Sequence, residues 1–171
     1  LLKNLFMSIL GIIHTLVSLV PIVLAAILLF QQGHINPRSK LGFWYSLSTI
    51  AAVATAFTIM KTGKLSEGHF LGILILLLIG TAYLLPKLSA LQNSAPLLER
   101  ILMSTSFFLM FIPTTVESLS RLPVGAPLAP EGPESPLVKQ ILGIIFLLYL
   151  AGLFWQYRKL KVANTKLSQS A

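Results

Sequence analysis

The chain has 171 residues, no cysteine and no aspartate, and its five acidic residues are all glutamates. Without cysteine there is no disulfide, thiolate metal site, iron–sulfur cluster or cysteine nucleophile. Glu67, Glu99, Glu117, Glu131 and Glu134 all lie between apolar stretches or at their ends. No carboxylate dyad and no Ser–His–Asp set can be assembled, and no carboxylate sits inside the membrane as it does in proton-pumping chains. No glycine-rich phosphate loop is present either. Enzymatic or ion-pumping activity is therefore not expected.

Lys, Arg, Asp and Glu are also missing from five long stretches, at 12–30, 41–60, 68–86, 101–116 and 140–157. Each approaches the roughly 20 residues a helix needs to cross ~30 Å of hydrocarbon. A soluble five-helix bundle would carry charge on the outer face of every helix. Here charge lies only between the stretches, so the expectation is an all-α polytopic transmembrane bundle of five spans. It forms one domain, with a proline-rich loop at 117–136 and a basic tail at 158–171. The first stretch reads as a span rather than as a signal peptide alone. The net charge of +8 is scattered one or two residues per loop, with a denser tail of Arg158, Lys159, Lys161 and Lys166. That pattern suits anionic lipid headgroups and speaks against nucleic acid.

With five spans, one side collects Arg38, Lys40, Lys87, Arg100, Arg158, Lys159, Lys161 and Lys166, and the other Lys3, Lys61, Lys64, Arg121 and Lys139. The positive-inside rule then places the N-terminus outside and the C-terminus in the cytoplasm. Trp44, Tyr45, Tyr83, Trp155 and Tyr157 fall at span ends on the cytoplasmic side, the level aromatic belts prefer. The outer end has no such belt, which suits cover by another protein. The fourth stretch holds Ser104, Thr105, Ser106, Thr114, Thr115 and Pro113. Such a helix packs against protein, or the segment is re-entrant and the chain has four spans.

Prolines 123, 127, 130, 133 and 136 predict an extended, semi-rigid connection that covers the bundle end or touches a partner. Glu117 and Arg121, four residues apart, are spaced for an ion pair that ends a helix, anchors this loop or meets an outer ligand. In the second stretch Ser48, Ala52 and Ala56 recur every four residues, as do Ala51 and Thr55, so that helix is expected to be central. Gly72, Gly80, Gly143 and Ala151 offer similar shallow faces.

Ionisable groups inside a membrane are costly and are candidates for function. His14 lies near the start of the first stretch, with Ser18 and Pro21 on the same helical face, and His69 opens the third. Odd-numbered spans begin on one side, so the two imidazoles are expected at one depth. Two neutral imidazoles flanking a flat apolar cleft are what a six-coordinate haem b requires, and Gly72 would let a flat ring, or a helix, approach. Histidines that only hydrogen-bond a neighbour are the alternative. A metal site would use His14, His69 and Glu67. His34, in a polar turn, reads as solvent-exposed.

The run from His14 to Pro21 and Ile22, together with His69 at the start of the third stretch, resembles an uncharacterised family of small bacterial inner-membrane proteins. That family carries His-x6-Pro-Ile-x-Leu in its first helix and a histidine near the start of its third. Its members usually have four spans and often a second histidine where this chain has Ser18. The resemblance covers residues 10–90 and implies a bacterial inner membrane rather than a reaction. Three functions stand: an accessory or structural subunit of a larger membrane assembly such as a respiratory or redox complex, a haem-b electron-transfer protein using His14 and His69, and a small-solute transporter.

Overall fold

A computed structural model describes the backbone of residues 2–59, 66–92 and 94–169, and the side chains within these ranges except 2–8, 164 and 166–169. Met60, Lys61 and Lys64, and the last two residues of the basic tail, lie outside the described residues, as do the Lys3 and Lys166 side chains. Five α-helices follow in order: α1 (Leu2–Gln32), α2 (Lys40–Phe57), α3 (Glu67–Leu84), α4 (Ala95–Arg121) and α5 (Pro136–Gln169). Short 3₁₀ turns at Leu85–Lys87, Ser89–Leu91 and Gly132–Glu134 are the other regular elements, and no strand occurs among the described residues.

Four of the helices are long and apolar enough to cross a membrane: Ile9–Gln32, Glu67–Lys87, Ala95–Arg121 and Pro136–Ala163. The expected weak member was the fourth stretch, yet α4 is one continuous helix of 27 residues that runs through Pro113. A re-entrant segment would need a break there. The helix that does not join the four is α2, whose 18 residues include Lys40, Ser46, Ser48 and Thr49.

The first compact unit comprises residues 1–106. Gly33 ends α1 in the left-handed region at φ 76°, its N–H donating to the Leu29 carbonyl at 2.9 Å. A buried turn through Ile35 and Pro37 reverses the chain, and Ser39 caps α2 by accepting from Gly42 N–H at 3.0 Å. Gly42 is required here: a Cβ at that position would sit 1.8 Å from the Asn36 carbonyl oxygen. The hairpin so formed lays α2 antiparallel along α1, and α3 returns antiparallel on α2. The expectation of a central α2 thus holds within this unit.

The buried stripe of α2 is Gly42, Tyr45, Ser46, Thr49, Ala52 and Val53, spaced at three and four. Ser48 is half-buried and Ala51 exposed, so the register of the packing face differs from that suggested by the four-residue repeats. Gly72 meets Val53, with an added Cβ placed 3.1 Å from Val53 Cγ1. That glycine admits a helix, not a ring. At Gly80 and Gly143, by contrast, an added Cβ would meet nothing within 4 Å.

Side-chain hydroxyls bond back to their own helices, including Thr15 to Gly11, Ser46 to Gly42, Thr49 to Tyr45, Thr81 to Leu77 and Thr105 to Ile101. This satisfies the polar groups without water. Large aliphatic and aromatic residues meanwhile face outward, among them Leu16, Phe30, Phe70 and Leu77. A soluble domain would bury such large apolar side chains.

The second unit comprises residues 107–171. Phe108 stacks on Tyr149 at 4.7 Å and tilts against Phe146 at 5.7 Å, packing α4 on α5. The connection, expected to start at 117 and to run extended, starts after Arg121 and folds back. Proline first blocks the helix at Pro123, so Glu117 and Arg121 remain helical. Pro136 opens α5 at the first helical position, where its missing N–H costs nothing. The basic tail is helical too, as α5 continues to Gln169.

Candidate functional site: two histidines against the last turn of α2

The α1–α2 hairpin lays α1 along α2, which brings His14 beside the C-terminal half of α2. Its Nδ1 lies 2.9 Å from the Thr55 hydroxyl. Thr55 donates its own proton to the Ala52 carbonyl at 2.8 Å, so the imidazole Nδ1–H donates to Thr55. Ser18, one turn on, donates to the His14 carbonyl at 2.7 Å and stands 3.5 Å from the ring nitrogens. Ser18 thus supports the first-helix backbone beneath the ring.

His69 is 5% exposed and occupies the third position of α3. Its Nδ1 accepts the Ser66 backbone N–H at 2.9 Å and lies 2.7 Å from the Ser66 hydroxyl. The side chain therefore caps α3, in the place a Glu or Gln holds in a capping box. Ser66, three residues upstream, was the available signal. The ring packs edge-on against Phe57 of α2 at 4.9 Å. A backbone N–H can only donate, so Nδ1 carries the lone pair and, in the neutral ring, Nε2 carries the proton. That Nε2 is buried and has no hydrogen-bond partner among the described residues.

Both histidines lie at one level, as expected, since Thr55 and Phe57 are two residues apart near the end of α2. They address different faces, however. Val53 and Phe57 meet α3, whereas Thr55 is turned about 200° from each. Helix α2 fills the space between α1 and α3 where a shared haem cleft would have to lie. A ligating imidazole also needs its lone pair toward the metal and its other N–H toward an acceptor, the reverse of the arrangement at His69. The geometry brings His14 and His69 to one depth without bringing them together. Nor do they meet Glu67 in a metal-binding group: among the described residues no three His, Asp or Glu side chains cluster in that way.

The opposite end of the first unit holds contacts that sequence reasoning missed. Tyr45 is fully buried with its hydroxyl 2.8 Å from that of Ser106, and Tyr83 donates to the Pro37 carbonyl at 2.7 Å. Tyr45 is an interior hydrogen-bonding group rather than a belt residue, because a buried phenol must find a partner, and the half-buried Tyr83 is tied to the α1–α2 turn. Trp44, Trp155 and Tyr157 do remain exposed. Arg38 pairs with Glu99, tying the α1–α2 turn to the start of α4. His34 is half-buried rather than fully exposed, with Nδ1 3.2 Å from the Gln32 carbonyl. Glu117 and Arg121 form the expected i,i+4 ion pair on the last turn of α4, both more than half exposed.

Comparison with protein-family models, with curated proteins and with solved structures returns no match to this chain.

Proposed function

We propose that this chain is an integral-membrane accessory subunit, without catalytic activity of its own, in a larger membrane assembly. The observation that carries the reading is α5. Within its membrane-crossing segment, Pro136–Ala163, only 6% of the most apolar window is buried. Its surface includes the exposed Gly143 and, on the opposite face, the half-buried Gly152, at both of which an added Cβ would meet nothing within 4 Å. Lipid gives helices no hydrophobic drive to associate, so open glycines on a span are useful where another backbone comes close. Apart from His69 Nε2, the imidazoles and hydroxyls described in the first unit support the same reading, because they are engaged in caps, back-bonds and helix-to-helix contacts.

In this reading α2 is a fifth span. Its 18 residues rise about 27 Å, nearly the hydrocarbon thickness, and it lies antiparallel between two helices apolar enough to cross. Its lower hydropathy comes from hydroxyls that pack inward, which an interior helix tolerates. The eight-to-five distribution of basic residues favours an outer N-terminus and a cytoplasmic C-terminus. The resemblance of the first helix favours a bacterial inner membrane.

A photo-crosslinking residue placed at 143 or 152, in cells expressing the full chain, tests the function. One discrete crosslinked membrane protein that co-purifies in fixed ratio is the expected result. Crosslinks to lipid alone, with the chain isolated from native membranes at its own mass, would reject the reading. Topology is tested separately with single cysteines at the exposed Gln32 and Thr58, which an impermeant thiol reagent should reach from opposite sides of the membrane.

A further inference from the structure

The connection between α4 and α5 is a pinned apolar finger. Leu128 N–H donates to the Leu122 carbonyl at 3.1 Å, and Ala129 N–H to Leu119 of α4 at 2.8 Å. Ala126 N–H closes on the Pro123 carbonyl at 3.1 Å, and Gly125 turns the tip at φ 89°. Ala129 is buried at the base. From 122 to 130 there is no charged residue. Leu122, Val124 and Leu128 are nevertheless 54%, 91% and 62% exposed.

We propose that this finger is an interfacial membrane anchor, with Val124 seated in the apolar boundary of the leaflet at its end of the bilayer. The inference rests on the membrane-spanning reading of α5. That helix acts as a ruler: from Pro136 to Trp155 it rises about 29 Å, close to one hydrocarbon thickness. Trp155 and Tyr157 are exposed, and the Lys159 ammonium sits 4.1 Å from the Trp155 ring centroid. Those residues mark one headgroup level. Pro136 therefore marks the other, and the finger is bound to that level at both ends, through Leu119 and through Pro136.

No Trp or Tyr occurs between 117 and 139, so aromatic anchoring is lacking at this end of the unit. The three aliphatic side chains supply it instead. Three acidic and two basic residues flank the finger: Glu117, Glu131, Glu134, Arg121 and Lys139. This balance gives no attraction to anionic headgroups, so the contact is apolar insertion rather than electrostatic adsorption.

The absence of native cysteine makes the test direct. Nitroxides are attached to Val124→Cys, Glu131→Cys and Leu147→Cys in the full chain, reconstituted in phosphatidylcholine vesicles. Collision rates with oxygen and with a water-soluble nickel chelate are compared. The expected oxygen-to-nickel ratio at 124 is several-fold above that at 131 and approaches that at 147, a lipid-facing position in mid-α5. A ratio at 124 equal to that at 131 overturns the anchor, and protection from both reagents overturns it in favour of a protein contact. Should the label at 147 itself be open to nickel, the span reading fails, which is distinguishable from failure of the finger alone.

Discussion

His14 Nδ1 and Thr55 Oγ1 stand 2.9 Å apart, joining the first helix to the last turn of the second across the α1–α2 hairpin. This is a side-chain bond between two helices, and such bonds in membranes contribute about 1 kcal/mol. A double-mutant cycle of His14→Leu and Thr55→Val, followed by reversible denaturation in mixed micelles, is expected to give a coupling of about that size. Purely additive effects would show that the bond contributes nothing.

Gly42→Ala is expected to be among the most damaging single changes in the first unit. Its methyl would fall 1.8 Å from the Asn36 carbonyl oxygen, and backbone cannot step aside as a side chain can. Overpacking of this kind costs about 3 kcal/mol. Gly143→Ala is the control, since nothing lies within 4 Å of its added methyl. Size-exclusion profiles after heating should show Gly42→Ala lost at a lower temperature than the parent and Gly143→Ala lost at no lower temperature.

The cap at His69 distinguishes hydrogen bonding from ligation. His69→Gln keeps an acceptor for Ser66 N–H and should retain stability, whereas His69→Leu loses the cap and about 1 kcal/mol. Nitrogen NMR of the labelled side chain is expected to find the proton on Nε2. Protein expressed with excess haem should show no bis-imidazole spectrum. A Soret band abolished by both His14→Ala and His69→Ala would overturn the geometric argument against a shared haem.

At the loop, the Lys139 ammonium donates to Glu134 at 2.8 Å and, with its charge, holds the Glu134 carboxyl below the ordinary glutamate value. A carboxyl depressed in the folded state contributes stability above its unfolded pKa and loses it as pH falls through the folded one. The pair is exposed, so the effect on stability is small. It is visible by carbon NMR titration: Glu134 should titrate below the ordinary glutamate value, and Lys139→Met should raise it back toward that value.

The helices themselves were legible in the sequence, because five charge-free stretches admit no other solvent than lipid or a protein interior. Their ends were less so. Arg121 and Pro136 bound the loop for local reasons, the first proline being Pro123 and a proline being acceptable at the first turn. Residues 117–121 contain nothing that breaks a helix, so α4 continues through them to Arg121. The site was half legible. The common depth of His14 and His69 followed from counting along alternate spans, but the faces they turn to α2 depend on the rotation of each helix about its axis. Uniformly apolar helices leave that rotation almost unmarked.

Composition and spacing alone determined that the chain is helical, that its charges lie at helix ends, and that no cysteine or aspartate chemistry is open to it. Packing decided the rest: Gly72 against Val53, Tyr45 against Ser106, His69 over Ser66. The physical reason is that lipid rewards any apolar residue equally wherever it points. The choice among faces therefore falls to close backbone approach and to the few hydrogen bonds that need a partner, and these exist only once the helices are set side by side.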